Sequence, residues 1–230
     1  MAGFKFGIEA ALAPIAFKQP DGNVAGFDYD VAQALAEELG EPITIIEQEF
    51  DALLPALRLR KVDAIIAFLD ATADREKVVD FTAPYLADAS GVFAMRSDGP
   101  EATVQNLSGK KVGVQSGSVF DRYAMQVCAP KGATVLRYGA VDAILLDLTA
   151  GRLDAVLADP RVIEEAFLRT DAGKGFAAGS PITDAAYFGP KAIAVRKGDD
   201  RRQKLDEALE KVKSNGVLAK IGEKYFSSPL

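Results

Sequence analysis

The stretch that decides the fold is VDAIIAF at residues 62–68, because a near copy, LDAVLAD, stands at residues 153–159. Each copy is an apolar run after an aspartate, and each follows a helical segment that ends in a basic residue. Continuous apolar runs are typical of strands that a parallel sheet buries on both faces. Ligands bind beyond the carboxyl ends of strands in open α/β sheets. The residues that end the two copies, Phe68 and Asp159, are therefore candidates for a binding site.

The rest of the chain alternates strand and helix patterns, which indicates βαβ units. The first part predicts strands at 4–8, 42–48 and 91–97 and helices at 27–40, 51–60 and 73–79. The pattern then restarts, since KKVGVQSG is similar to the opening FKFGIEAA. The second part predicts strands at 110–117 and 133–139 and helices at 118–127, 141–151 and 160–169. A strand at 192–198 and helices at 201–216 and 217–226 end the chain.

The two parts are weak copies of one β-α-β-α-β plan, which predicts an α/β protein of two Rossmann-like lobes, each with a central sheet. We expect the first lobe to contain residues 1–90 and 190–230, and the second lobe residues 91–189. Two hinge strands would join the lobes, because the final strand needs the first lobe's sheet. The ligand cleft would then lie between the lobes.

Composition and charge argue against several classes of function. The chain has 27 basic and 33 acidic residues, so a surface for nucleic acid or anionic membranes is not expected. No apolar run approaches the roughly 20 residues that span a bilayer. The lack of histidine excludes a Ser-His-Asp or Cys-His centre and His-ligated zinc. We predict neither a metal nor a cofactor, and we interpret the single cysteine, Cys128, as a small apolar residue on a helix face.

Two charged residues are the strongest candidates for ligand contacts. Arg75 follows a loop that leaves an apolar strand. Its guanidinium group is suited to binding a carboxylate. Alternatively, Arg75 is a solvated residue at the start of a helix. Thr72 can cap that turn. Asp159 precedes Pro160 and can cap the helix that begins there, can present an anion to an ammonium group, or can do both.

Further candidates carry weaker signals. Glu9 and Asp70 each end a strand, and either can be an ordinary loop acid. Phe50 suits a core position as well as a ligand platform. The QSGS stretch at residues 115–118 offers backbone N–H groups at a helix start, which attract anions.

Six stretches, in this order, resemble the amino-acid-binding members of the periplasmic solute-binding proteins, which serve bacterial ABC importers. They are GNVAGFDYDVAQALAEELG, FDALLPALRLRKVDAIIA, TADREKVVDFTAPY, GKKVGVQSGS, LTAGRLDAVLAD and IAVRKGD. The resemblance runs from about Phe4 to Phe226 and is nearest the basic-amino-acid and opine branch. It implies the type II periplasmic-binding-protein fold, in which two α/β lobes close on the ligand.

The resemblance also implies roles for individual residues. Arg75 matches the arginine that binds the ligand α-carboxylate, and Ser118 assists it from the second lobe. Asp159 matches the aspartate that binds the α-ammonium group, and Phe50 the aromatic residue that packs on the ligand side chain. Glu9 matches a position that is often acidic in members that bind basic amino acids. The predicted ligand-binding set also contains Leu12, Phe68, Asp70, Thr72 and Gln115.

Several positions depart from the family pattern. Phe68 and Asp70 stand where small polar residues are usual, Leu12 where an aromatic residue is usual, and Pro190 and Lys191 near where glycines are usual. Phe68 would narrow the site. Asp70 would add a second carboxylate beside the ammonium position. When two acids compete for one ammonium group, the protonated form of one of them is favoured unless a further cation lies nearby.

The resemblance implies a monomeric solute-binding protein that traps an amino acid, one with a cationic side chain, for delivery to the permease subunits of an ABC transporter. Glu9 and Asp70 would meet the distal cation. The alternatives are a binder of a neutral amino acid or opine, a dehydratase-type enzyme with Glu9 or Asp70 as general acid, and a sensor module.

The opening residues MAGFKFGIEA enter a strand pattern without a basic or apolar targeting segment. The chain is therefore either cytosolic or has lost such a segment, and the resemblance implies a periplasmic location. The lack of histidine and tryptophan also fits an engineered or reconstructed sequence.

Overall fold

The computed structural model describes residues 3–101 and 103–230, which divide into two compact units. The first unit contains the chain up to Ala89 together with Gly189–Leu230, and the second unit is Ser90–Phe188. The chain therefore passes from one unit to the other twice. Both units combine a sheet with helices, so the predicted α/β fold class is confirmed.

The strands vary from two to five residues in length. They are β1 (Phe4–Ile8), β2 (Ala11–Leu12), β3 (Ala16–Lys18), β4 (Val24–Ala25), β5 (Ile43–Glu47), β6 (Ala64–Ile65), β7 (Val79–Phe81), β8 (Val92–Arg96), β9 (Lys111–Gln115), β10 (Thr134–Tyr138), β11 (Ala155–Ala158), β12 (Phe176–Ala178) and β13 (Ala194–Arg196). Strands β2, β3 and β4 form a small antiparallel sheet after β1.

The two main sheets share one plan. The strand order is β5-β1-β6-β13-β7 in the first unit and β10-β9-β11-β8-β12 in the second. Three neighbouring strands in each sheet are parallel, and the fourth strand is antiparallel to both of its neighbours. The predicted duplication is therefore confirmed. The antiparallel strand of each sheet was not predicted, because an alternating β-α pattern indicates only parallel pairs.

The aspartate of the repeated stretch forms the same two hydrogen bonds to a neighbouring strand in both units. In the first unit, Asp63 donates its backbone N–H to the Lys5 carbonyl at 2.7 Å, and Asp63 Oδ2 accepts from the Lys5 N–H at 3.1 Å. In the second unit, Asp154 and Lys111 form the same two bonds at 2.9 and 2.8 Å. The side chain thus extends the pairing beyond the strand, which explains why the aspartate recurs.

The helices cover the faces of these sheets. They are α1 (Phe27–Leu39), α2 (Phe50–Arg58), α3 (Ala73–Glu76), α4 (Val119–Tyr123), α5 (Val141–Thr149), α6 (Pro160–Ile163), α7 (Arg201–Ser214) and α8 (Val217–Tyr225). A π-helical turn continues α4 at Ala124–Cys128 and α6 at Glu164–Leu168. Gly26 precedes α1 with φ 121°, and a Cβ there would lie 2.6 Å from the Ile15 carbonyl oxygen. Only glycine fits this close approach.

Each unit has its own apolar core. The first core gathers Leu53, Leu57 and Ile65 between α2 and the sheet. The second core includes Phe93 and Val114, with Cys128 buried beside them as the sequence predicts. No helix in the described part of the chain is long and apolar enough to cross a membrane.

Candidate functional site

In the first unit, the predicted site residues follow the carboxyl ends of three neighbouring parallel strands. Glu9 follows β1, Phe50 begins α2 shortly after β5, and Phe68 and Asp70 follow β6. Arg75 lies in α3, the next element along the chain. Because the carboxyl ends of parallel strands meet at one edge of a sheet, these residues belong to the edge at which α/β proteins bind ligands.

Arg75 is a buried and oriented cation. Its side chain is packed so that the residue is 9% exposed, and Nη1 donates to the Asp70 carbonyl oxygen at 2.9 Å. The guanidinium carbon lies 5.7 Å from the centroid of the Phe50 ring. Thr72 caps α3 by accepting from the Arg75 N–H at 3.4 Å. Burial lowers the pKa of Arg75, and the nearby Asp70 carboxylate opposes that shift.

Asp70 forms an ion pair that the sequence did not predict. Its Oδ1 accepts from Lys191 Nζ at 2.9 Å and from the Gly189 N–H at 3.3 Å. The side chains of Lys191 and Asp70 are 0% and 4% exposed. Lys191 is thus the further cation that a second carboxylate at this edge requires. Contact of Asp70 with a ligand stays a prediction.

Asp28 and Tyr85 extend the buried polar cluster. The Tyr85 hydroxyl donates to Asp28 Oδ1 at 2.9 Å. Burial raises the pKa of Asp28 to about 7, against the opposing influence of Tyr85, the Phe68 backbone amide and the charge of Lys191. Burial and the Asp28 carboxylate raise the pKa of Tyr85. Neither residue was a sequence candidate: each lies in a stretch that carries the family resemblance, but no local pattern indicates that the two side chains meet.

Phe68 belongs to an aromatic group within the first unit. Its ring centroid lies 6.2 Å from those of Phe27 and Phe226, and Lys191 Nζ lies 5.6 Å from the Phe68 ring. The backbone at Phe68 has φ 49°, a left-handed conformation that is rare for a bulky residue. The predicted strand at 62–68 therefore pairs only at Ala64–Ile65, before the chain turns.

The remaining first-unit candidates are less buried. Glu9 directly follows β1 and Leu12 lies in β2, and both are half-buried. Their predicted contacts with a ligand stay predictions.

In the second unit, the candidates gather at the carboxyl ends of β9 and β11. Asp159 is 2% exposed and caps α6, because Oδ1 accepts from the Arg161 N–H at 2.8 Å. Ser118 caps α4 by accepting from the Asp121 N–H at 3.1 Å, and its hydroxyl donates to the Gln115 carbonyl at 2.7 Å. The Gln115 side chain donates to the Gly139 carbonyl at 3.2 Å. The capping roles considered for Asp159 and Thr72 are thus observed.

The arrangement is suited to binding charged groups. Residues 3–101 and 103–230 contain no cluster of three or more His, Cys, Asp or Glu side chains that could hold a metal. The first unit instead presents a desolvated guanidinium group at the edge formed by the carboxyl ends of its parallel strands. The second unit presents a buried carboxylate and the N–H groups of a helix start.

Nearly the whole chain matches one family of proteins. The model of the bacterial extracellular solute-binding proteins, family 3, covers residues 4–228. This chain therefore belongs to that family, and the resemblance stated from its motifs is confirmed.

Its relatives bind amino acids. The chain is 46% identical over 230 residues to the L-arginine-binding protein of Pseudomonas aeruginosa, covering 97% of this chain and 87% of that protein. It is 35% identical over 226 residues to the histidine-binding periplasmic protein of Escherichia coli K12, covering 96% and 86%.

Solved structures with a similar fold are also those of amino-acid-binding proteins. An ancestral arginine-binding protein bound to arginine superposes with a TM-score of 0.90 at 33% identity, covering 99% of this chain and 100% of that one. An ancestral amino-acid-binding protein that is a precursor of cyclohexadienyl dehydratase superposes at 0.85 and 28% identity, covering 97% and 95%.

Proposed function

We propose that this chain is the periplasmic amino-acid-binding component of an ABC importer and that it binds arginine or another amino acid with a cationic side chain. The observation that carries the proposal is the buried guanidinium group of Arg75, which the Asp70 carbonyl and the Phe50 ring hold in one orientation. An oriented, desolvated guanidinium is matched to a carboxylate.

The second unit supplies the opposite charge. We assign the ligand α-carboxylate to Arg75, with Ser118 assisting, and the α-ammonium group to Asp159. Glu9 is assigned to the side-chain cation, and Phe50 to the ligand's aliphatic stem. The cap that Asp159 forms uses Oδ1, and one carboxylate can accept at both oxygens. An affinity in the micromolar range corresponds to about −8 kcal/mol.

The test is calorimetric titration of the protein with arginine, lysine, ornithine, histidine and glutamine. Arginine is expected to bind at least about tenfold more tightly than glutamine, which corresponds to about 1.4 kcal/mol. Binding also raises the melting temperature, because a ligand that binds only the folded state adds to its stability. A protein that binds none of the five amino acids would contradict the proposal.

The residue assignment has its own test. Arg75→Met is expected to weaken arginine binding by about 100-fold or more, because a buried charged hydrogen bond to the ligand is worth about 3 kcal/mol. Arg58→Met is the matched control, since Arg58 is an exposed arginine at the end of α2, and it should bind like the wild type. Equal affinities of the two variants would contradict the role of Arg75.

One observation favours a second candidate, the binding of a neutral amino acid. The pairing of Asp70 with Lys191 occupies one of the two acids predicted to meet a cationic side chain. Glutamine binding more tightly than arginine in the same titration would support this candidate. A dehydratase-type activity is disfavoured by the same pairing, because Asp70 was one of two candidate general acids.

The remaining parts of the proposal concern activity, location, oligomeric state and the transporter. We propose a non-enzymatic monomer in the periplasm that docks on the permease subunits of its transporter. Family members are extracellular solute-binding proteins. Gel filtration with and without arginine tests the oligomeric state.

A further inference from the structure

Lys191 lies in the C-terminal segment that returns to the first unit, next to the turn that follows β6. Its ammonium group is 2.9 Å from Asp70 Oδ1, and neither side chain has appreciable contact with solvent. Two charges are costly to bury as a pair, and apolar residues of the same volume are often at least as stable. The pair therefore calls for an explanation beyond stability.

The backbone around the pair leaves little freedom. Asp70 and Lys191 form an antiparallel bridge, and the Ala71 N–H donates to the Pro190 carbonyl at 2.8 Å. A Cβ at Gly189 would lie 1.9 Å from the Ala71 carbonyl oxygen, so these segments touch directly. Lys191 thus reaches the Asp70 carboxylate from a fixed backbone position.

Asp70 contacts Arg75 in a different way. The Arg75 guanidinium group binds the backbone carbonyl of Asp70 at 2.9 Å, while the Asp70 carboxylate binds Lys191 and the Gly189 N–H. The Asp70 charge is nevertheless close enough to act on Arg75. Without Lys191, Arg75 would be the nearest cation in this cluster to a buried carboxylate.

We infer that Lys191 is a positioning residue that holds the Asp70 carboxylate away from Arg75 and so keeps the guanidinium group directed at the carboxylate of the bound amino acid. The inference rests on the proposed function of Arg75. On this account, Asp70 pairs with Lys191 of the chain itself and not with the ligand. Asp70 would otherwise compete with the ligand carboxylate for one guanidinium group.

The experiment compares the affinities of L-arginine and L-arginine amide, which lacks the carboxylate, by calorimetric titration. In the wild type, arginine should bind much more tightly than the amide. Lys191→Met should weaken arginine binding by roughly tenfold or more and change amide binding by less than about threefold, because Asp70 then occupies Arg75. Lys224→Met is the matched control, since Lys224 pairs with Asp30 at 2.7 Å but is exposed.

The double variant Asp70→Asn with Lys191→Met is the decisive arm. It removes the competing carboxylate together with its partner, so the preference for arginine over the amide should return to within about threefold of the wild type. It also carries the test if Lys191→Met alone does not fold. A purely structural role for Lys191 would lower both affinities together, and the double variant would not recover the preference.

Four outcomes separate the claims. An unchanged preference in Lys191→Met, or no recovery in a folded double variant, overturns the inference alone. A gain in arginine affinity over glutamine in Lys191→Met also overturns it, because Asp70 would then be meeting the ligand's side chain. A wild-type protein that binds no amino acid overturns the proposed function itself, before any variant is made.

Discussion

Asp28 is the buried acid whose charge state should govern part of the chain's pH dependence. Its Oδ1 accepts from the Tyr85 hydroxyl, whereas Oδ2 has no hydrogen-bond partner among the described residues. Burial raises the pKa of Asp28 to about 7 from the ordinary value of 3.8. Between these two pH values the folded state retains a proton that the unfolded chain releases, so the free energy of unfolding falls as the pH rises.

Asp28→Asn should remove this penalty. Both states of the wild type are protonated below pH 3.8, so the penalty is absent there; it grows as the pH rises to about 7 and is constant above that value. The variant should match the wild type near pH 4 and exceed its free energy of unfolding at pH 8, by up to about 4 kcal/mol. Urea unfolding at the two pH values measures the difference. A variant less stable than the wild type at pH 8 would contradict this account.

Asp80 provides the control of opposite sign. Hydrogen bonds from Lys197 and the Gly198 N–H lower the pKa of Asp80, so its contribution to stability is present above pH 3.8 and is lost as the pH falls through the folded-state pKa. Asp80→Asn should therefore be less stable than the wild type at pH 8 and equal to it at low pH.

Residue-level prediction from the sequence succeeds where the partners are close in the chain. The caps formed by Thr72 and Asp159 use N–H groups two or three positions away, so local patterns indicate them. The bond between Lys191 and Asp70 joins residues 121 positions apart. No local pattern specifies such a pair, and Lys191 stood out only as a departure from the family's glycines.

At the scale of elements, the repeated aspartate suggests a stability prediction. Asp154→Ala removes an acceptor for the Lys111 N–H and should lower the free energy of unfolding by about 1–3 kcal/mol. Asp63→Ala should cost more, because Asp63 pairs with the more buried Arg196 at 3.4 Å and with Arg201 at 2.5 Å, whereas Asp154 pairs with the more exposed Lys110 at 3.5 Å. Denaturant unfolding of both variants gives the ranking.

An exposed pair calibrates this comparison. Asp98 pairs with Arg96 at 3.1 Å, and both side chains are largely exposed, so Asp98→Ala should change stability by less than about 1 kcal/mol. If Asp98→Ala cost as much as Asp154→Ala, the shared role of the repeated aspartates in strand pairing would be wrong.

Element prediction from the sequence fails chiefly for short strands. The helices at 27–40, 201–216 and 217–226 were predicted within a few residues, because their apolar spacing extends over several turns. Strands β7 and β12 have three residues each and too few alternations to be recognised. Their places in the sheets come from pairing with distant strands β13 and β8, which a local pattern does not contain.

At the scale of the whole molecule, the two units differ in how the chain builds them. The second unit is one continuous segment, Ser90–Phe188, and its five strands all come from that segment. The first unit needs the C-terminal segment, because β13 lies between β6 and β7 in its sheet. The second unit thus builds this sheet plan from one continuous segment. The first unit builds it from two segments that are far apart in the sequence.

This difference predicts that the second unit folds alone. A fragment of residues 90–188 contains its own core and sheet, and its ends meet, since Gly91 approaches the Phe188 ring. At about 100 residues it can bury roughly 60–65% of its surface, enough for an independent domain. It should therefore unfold cooperatively in urea. A fragment that ends at residue 89 should not, because β6 and β7 would lack the strand that joins them. A non-cooperative 90–188 fragment, or a cooperative fragment lacking β13, would show that the units do not fold as the sheet order implies.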